Sequence, residues 1–262
     1  MSAHPVLAGA EAWSAPGSGA RASVAIVVSH GFTGNPSSTR PLGEALAARG
    51  FAVDVVRLPG HGTHWRDMAR TRYADWRGEV ERAVLAHHAS GKKVVVVGLS
   101  LGGTIALDLA ATQPDAVAAI VPINATVLDR EGLLARVSPL LERVIPVVPS
   151  GMAGLAENDI AKGGDERAYS MVPTRAAGSV LRELSRIRAG LPRITSATLV
   201  AYSPQDHSVP PENSKAILRM MSAAKATALV LERSYHVATL DHDFDLLVER
   251  ITELADRASA PA

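Results

Sequence analysis

The chain alternates between short apolar runs and segments whose apolar residues recur at helical spacing. Such runs, with few polar residues, are typical of strands buried on both faces of a parallel sheet that helices cover. They fall at residues 23–29, 51–58, 94–97, 116–123, 197–203 and 227–232. Helical spacing is clear in residues 73–89 and again near the end of the chain, from Phe244 to Leu254. This order predicts an α/β fold with a mainly parallel, doubly wound sheet.

The alternation is interrupted in the middle of the chain. After Asn124 the pattern predicts helical pieces and loops with no strong strand, and the strand–helix order resumes near residue 195. The interruption is marked by the run 162–165 and by four prolines, Pro139, Pro146, Pro149 and Pro173. We therefore predict a core in two parts, residues 1–124 and 191–262, with a small helical cap inserted at residues 125–190.

Composition narrows the class of protein further. The chain has 262 residues, of which 47% are hydrophobic and 20% charged, with a formal net charge of +1. That charge gives no basis for binding nucleic acid or an anionic membrane surface. Cysteine is absent, which excludes disulfides, a cysteine nucleophile and thiolate metal sites. We expect a cytoplasmic protein without stable membrane insertion, a monomer or homodimer, whose partner is a small molecule.

A G-x-S-x-G sequence, residues 98–102, follows the valine run directly. Two interpretations are open at this point. The segment could be a glycine-rich turn in which Ser100 caps the following helix. Alternatively, Ser100 could be the nucleophile on a sharp turn between a buried strand and a helix. The strand before it and the helical pattern after it favour the second interpretation.

A serine nucleophile needs a base, and the base needs an orienting acid. Asp206 and His236 each follow a predicted strand, in the order acid and then histidine, as doubly wound hydrolases require. Because the carboxyl ends of parallel strands share one edge of a sheet, we expect Ser100, Asp206 and His236 to meet there. Other candidates for the acid and the base are less well placed after strands, namely His207, Asp241, His242 and Asp243.

The loop at residues 30–34 follows the first core strand and contains two glycines. Its Phe32 N–H and the Leu101 N–H are the candidate donors of an oxyanion hole, although a plain β–α turn would have a similar sequence. His61 and His64, together with His236 and Asp206, could suggest zinc. They offer no orderly ligand set, so we expect no metal and no cofactor.

Taken together, five stretches resemble the bacterial monoacylglycerol lipase and thermostable carboxylesterase family of α/β-hydrolases. They are His30-Gly31-Phe32-Thr33-Gly34, Arg57-Leu58-Pro59-Gly60-His61-Gly62-Thr63-His64, Gly98-Leu99-Ser100-Leu101-Gly102-Gly103, Val121-Pro122-Ile123-Asn124-Ala125 and Ser234-Tyr235-His236-Val237-Ala238-Thr239-Leu240-Asp241. The similarity covers nearly the whole chain and is weakest at about 126–160. It implies an α/β-hydrolase fold, the same triad and oxyanion hole, and a helical cap over an acyl pocket.

The resemblance also implies a role for Glu166, since a cap glutamate helps to recognise glycerol in such lipases. A solvated helix carboxylate is the alternative for this residue. The resulting hypothesis is a serine carboxylester hydrolase acting on monoacylglycerols or short-to-medium-chain acyl esters. An acyltransferase or thioesterase using the same triad remains an alternative, as does a non-enzymatic ligand-binding relative.

Overall fold

The computed structural model describes residues 4–128, 142, 144–221 and 226–259. Its main sheet has seven strands in the order β1-β3-β2-β4-β5-β8-β9. All neighbours in it pair in parallel except β1 and β3, which confirms the predicted mainly parallel sheet. The strands are β1 Trp13–Ala15, β2 Val24–Ser29, β3 Ala52–Val56, β4 Lys93–Leu99, β5 Ala119–Ile123, β8 Ala197–Tyr202 and β9 Ala226–Val230.

Helices cover both faces of this sheet. The described α-helices are α1 Arg40–Ala47, α2 Trp65–Met68, α3 Tyr73–Ala89, α4 Leu101–Thr112, α5 Thr174–Gly190, α6 Glu212–Met220 and α7 Phe244–Ser259. On the central strand β4, Val94 and Val96 pack towards α3, α4 and α5, whereas Val95 and Val97 pack towards α1 and α7. Each buried valine contributes about 1.5–3 kcal/mol relative to exposure. None of the described helices is long and apolar enough to cross a membrane.

The chain between β5 and β8 contains a small second sheet. Strands β6 (Val147–Pro149) and β7 (Met171–Pro173) pair antiparallel, where the sequence predicted no strong strand. Each strand has three residues and ends on a proline, so it is too short to produce a recognisable alternation. Residues 129–141 and 143 of the predicted cap lie outside the described residues.

Helix α5 lies at the end of that insertion and packs against α3 and α4. An ion pair to a buried carboxylate fixes it there, because the half-exposed Arg186 donates to both carboxylate oxygens of Asp108 on α4 at 2.8 Å. Tyr73 on α3 donates to the same carboxylate at 2.9 Å. Three helices thus contact one acidic side chain, which fixes the position of α5 against α3 and α4.

Candidate active site

Ser100 occupies the turn between β4 and α4. Its backbone, with φ 53° and ψ −114°, is in a region that non-glycine residues rarely adopt and that costs on the order of 1–3 kcal/mol. The Ser100 N–H donates to the Ile123 carbonyl at 2.8 Å, which holds the turn against β5. The Ser100 side chain makes no capping hydrogen bond. Its hydroxyl therefore does not serve the helix as an N-cap.

Close backbone contacts make this turn depend on glycine. A Cβ at Gly98 would collide with the backbone of Gly102, and a Cβ at Gly102 would collide with the Ser29 carbonyl oxygen. The helix therefore starts directly against the ends of β2 and β4. This close packing presents Ser100 at the carboxyl edge of the sheet.

Asp206 and His236 lie in the loops after β8 and β9 and bond to each other. His236 Nδ1–H donates to Asp206 Oδ2 at 2.7 Å. The other oxygen, Oδ1, accepts from the N–H groups of Ser208 at 2.8 Å and Val209 at 2.7 Å. The His236 side chain is 11% exposed and the Asp206 side chain is 1% exposed. The carboxylate thus fixes the imidazole tautomer with the proton on Nδ1, which leaves Nε2 as a free base.

The charges around His236 favour its protonated form. Burial alone would lower the pKa of His236, but the charge and the hydrogen bond of Asp206 outweigh it, and Glu166 and Asp159 act in the same direction. The pKa consequently lies above its usual value. An imidazole in this environment accepts a proton more readily than a free histidine does.

Ser100 and His236 line one small cavity, and Phe32 and Glu166 line it too. Leu101 lines a second, larger cavity that also reaches Ser100 and Phe32. Within the described part of the chain, neither Phe32 N–H nor Leu101 N–H donates to a backbone carbonyl. Both N–H groups are therefore free to stabilise negative charge next to the serine.

The larger cavity has a volume of about 260 Å³ and is mostly apolar. Helix α5 supplies one wall, with Ala177, Val180, Leu181 and Leu184. The lining also includes Val209 from the acid loop. An apolar cavity that opens at a serine hydroxyl can hold a hydrocarbon chain, whose burial is favourable.

Glu166 is held by its backbone. Its N–H donates to Asn158 Oδ1 at 2.9 Å, and its carbonyl accepts from Asn35 Nδ2 at 3.3 Å. Burial is the main reason why the pKa of the Glu166 carboxyl is raised, whereas His236 works to lower it. A backbone hydrogen bond from Asn158 also works to lower this pKa. A carboxylate has about four acceptor positions, so this group keeps acceptor capacity for a ligand in the small cavity that it lines.

The alternative acids and histidines have other partners. Asp241 accepts from four N–H groups, those of Ala161, Lys162, Tyr235 and His242. Asp243 accepts from the Ser234 hydroxyl at 2.8 Å, and the His207 ring pairs with Asp159 at 2.6 Å. These contacts fold the loops around His236, and none of them places a second base beside Ser100.

The histidines of the two glycine loops bond to backbone, and two of them, His30 and His61, are buried. His30 donates from Nδ1 to the Gly31 carbonyl and accepts at Nε2 from Leu58 N–H. His61 donates to the Pro59 carbonyl at 3.1 Å, and burial lowers its pKa to about 4. His64 accepts from Arg66 N–H at the start of α2. In the described ranges, no group of three or more His, Asp and Glu side chains is placed to hold a metal ion.

Comparison with known proteins shows the family to which the chain belongs. The model of the alpha/beta hydrolase family matches residues 26–250. The chain belongs to the alpha/beta hydrolase family. It is 38% identical to the thermostable monoacylglycerol lipase of Bacillus sp. (strain H-257), over 95% of this chain and 96% of that protein. It is also 25% identical to a carboxylesterase of Bacillus subtilis (strain 168), over 89% and 92% of the two chains.

Solved structures extend the comparison. One of the metagenome-derived lipolytic enzymes LipS and LipT superposes with a TM-score of 0.87 at 33% identity, covering 97% of this chain and 100% of the other. The Paleococcus ferrophilus monoacylglycerol lipase has the same fold, with a TM-score of 0.73 at 18% identity over 89% and 94% of the chains. The family expected from the sequence motifs is confirmed.

Sequence reasoning did not single out three residues that shape the site. Asn124, with φ 47° at the end of β5, donates to the His236 carbonyl and accepts from Ser203 N–H, both at 2.8 Å. Asn213 accepts from the N–H groups of Val127 and Leu128. Asp159 contacts both catalytic loops. Asparagine directly after a buried strand was a usable signal for Asn124; no periodicity marked the other two.

Proposed function

We infer that the protein is a carboxylic ester hydrolase, and we propose that it cleaves monoacylglycerols or short-to-medium-chain acyl esters through an acyl-enzyme on Ser100. The observation that carries this proposal is the hydrogen bond from His236 Nδ1 to Asp206, which leaves Nε2 free on a histidine that shares a cavity with Ser100. The 38% identity to a monoacylglycerol lipase supports the substrate class.

The reaction proceeds in two halves. His236 Nε2 takes the hydroxyl proton as Ser100 Oγ attacks the ester carbonyl carbon. The N–H groups of Phe32 and Leu101 donate to the oxyanion of the tetrahedral intermediate. When the intermediate collapses, the C–O bond breaks and His236 returns the proton to the departing alcohol. Water then attacks the acyl-enzyme with His236 as base, which releases the fatty acid and restores Ser100.

The cavities suggest where each half of the substrate lies. The apolar cavity along α5 suits the acyl chain, and the small cavity beside Glu166 suits the alcohol. A carboxylate with acceptor positions to spare can bind the hydroxyl groups of glycerol, and hydrogen bonds to a charged group contribute about 1.5–3 kcal/mol. We therefore propose that Glu166 recognises the glycerol head.

The proposal is tested by Ser100→Ala. Removing the nucleophile should lower kcat on monoacylglycerols and p-nitrophenyl esters by at least about 10³-fold. The thermal unfolding midpoint should stay the same, because the Ser100 hydroxyl caps nothing. Ser90→Ala, at the far end of α3, is the matched control. Assays with added alcohols measure acyl transfer beside hydrolysis. Substantial turnover by correctly folded Ser100→Ala would remove Ser100 as nucleophile.

A further inference from the structure

Asp159 is a buried carboxylate that belongs to the insertion but contacts both catalytic loops. Its side chain is 4% exposed. In the acid loop, Oδ1 accepts from His207 Nδ1 at 2.6 Å and Oδ2 accepts from His207 N–H at 3.0 Å. In the histidine loop, the same Oδ2 accepts from His236 N–H at 3.3 Å. One carboxylate therefore joins the residue after Asp206 to the backbone of His236 itself.

The backbone around Asp159 reinforces this connection. The Asp159 carbonyl accepts from Val237 N–H at 3.0 Å. Two residues further on, Ala161 and Lys162 donate their N–H groups to Asp241, which closes the histidine loop. Ile160 packs between these bonds in the hydrophobic core of the sheet. Residues 159–162, which we name the clasp, thus form several hydrogen bonds with the histidine loop.

The clasp also places charge near the catalytic base. Three carboxylates act on His236, namely Asp206 from the acid loop and Glu166 and Asp159 from the insertion. Asp206 bonds to the ring and Asp159 bonds to the backbone N–H of the same residue. The arrangement of charge around the base therefore depends on the clasp as well as on the triad.

We propose that Asp159 is a positioning residue, which holds the acid and histidine loops in their working arrangement and adds negative charge beside His236. This inference rests on the proposed role of His236 as base. Asp159 does not touch substrate in the mechanism above; it acts through the loops. The insertion would then shape the catalytic centre itself in addition to covering it.

Two substitutions separate the loop contacts from the charge. Asp159→Ala removes both and should lower kcat about 100-fold, since misplacing a catalytic group by about 1 Å has that effect. Asp159→Asn keeps an acceptor oxygen and should recover most of this loss. Both substitutions remove an anion and should therefore lower the pKa of His236. Because His236 must be neutral to act as base, the acid limb of the pH profile of kcat/KM should move to lower pH. KM should change less than kcat.

His207→Ala gives a second test that does not disturb a buried side chain, because the His207 side chain is 57% exposed. It removes the ring that donates to Asp159 and leaves the carboxylate in place. More of the Asp159 charge then reaches His236, so the acid limb should move to higher pH, opposite to its movement in Asp159→Asn. This opposite shift keeps the proposal testable even if Asp159→Ala does not fold.

The control is Asp165→Asn, which removes an equal charge from the exposed part of the insertion and should leave the pH profile unchanged. Rates are expressed per active site, counted with an organophosphate that labels Ser100. An unshifted acid limb in Asp159→Asn, together with a kcat within twofold of the parent in correctly folded Asp159→Ala, would overturn the role of Asp159. The proposed function would survive that result, since it fails only if Ser100→Ala or His236→Ala retains activity.

Discussion

Asp206 and Glu166 are both carboxylates beside His236, but their hydrogen-bond partners suit them to different roles. Asp206 accepts from the imidazole and from two N–H groups of its own loop. Three of its about four acceptor positions are used within the protein, and its side chain is buried, so it can orient the histidine but has little capacity left for a substrate. Glu166 is held by hydrogen bonds of its backbone and lines a cavity, as expected of a residue that binds a ligand.

This difference predicts how Glu166→Ala behaves. With monoacylglycerols, kcat/KM should fall about 10- to 100-fold, which corresponds to the loss of hydrogen bonds to a charged group. With p-nitrophenyl esters, which carry no glycerol, the plateau rate should change little. Loss of the Glu166 charge lowers the pKa of His236, so the acid limb should shift to lower pH with both substrates. Parallel measurement of the two pH profiles checks this, and an equal loss on both substrates would contradict a head-group role.

At the scale of elements, local order was predictable and long-range contact was not. The strand, turn and helix around Ser100 follow from the valine run, the glycines and helical spacing within about twenty residues, since the rules for such segments are local. The β6–β7 pair joins two three-residue strands, which are too short to show an alternation in the sequence. Asp159 reaches partners 48 and 77 residues away. No local periodicity encodes contacts of that kind, so only the folded chain reveals them.

The packing of the turn predicts opposite effects for two glycine substitutions. Gly102→Ala places a methyl group against the Ser29 carbonyl, and we expect it to destabilise the fold by about 1–3 kcal/mol or more through overpacking. Gly78 lies on the exposed face of α3, where an added Cβ meets nothing within 4 Å. Gly78→Ala should therefore stabilise the protein by about 0.5–1 kcal/mol, because alanine favours the helix. Urea denaturation of both variants measures this; equal effects would contradict the packing described at the turn.

Considered as a whole, the molecule builds its larger cavity partly from a helix whose position is fixed. Helix α5 is anchored to α3 and α4 through Asp108, so the side chains that it turns to the cavity keep their positions. We expect the volume of those side chains to set the length of acyl chain that fits, whereas Glu166 binds the alcohol half of the substrate in the proposed mechanism.

Leu181→Trp tests this division. A larger side chain on α5 should shorten the preferred acyl chain in a series of p-nitrophenyl esters, because it fills part of the cavity. Turnover of the shortest ester should be preserved, since Ser100 and His236 are untouched. Leu85→Trp makes the same change at an exposed position on α3 and should leave the chain-length profile unaltered. An unchanged profile in Leu181→Trp would show that the acyl chain lies elsewhere.

The clasp has a consequence for the order in which the protein becomes active as it is made. Ser100 and its turn are synthesised early, as are β2, β4 and β5. His236 and Asp241, to which the clasp bonds, come late, close to the last helix. Domains generally fold as units. A nascent chain would therefore carry Ser100 without a positioned base, and we expect hydrolytic activity to begin only once Asp241 and the helix after it have left the ribosome.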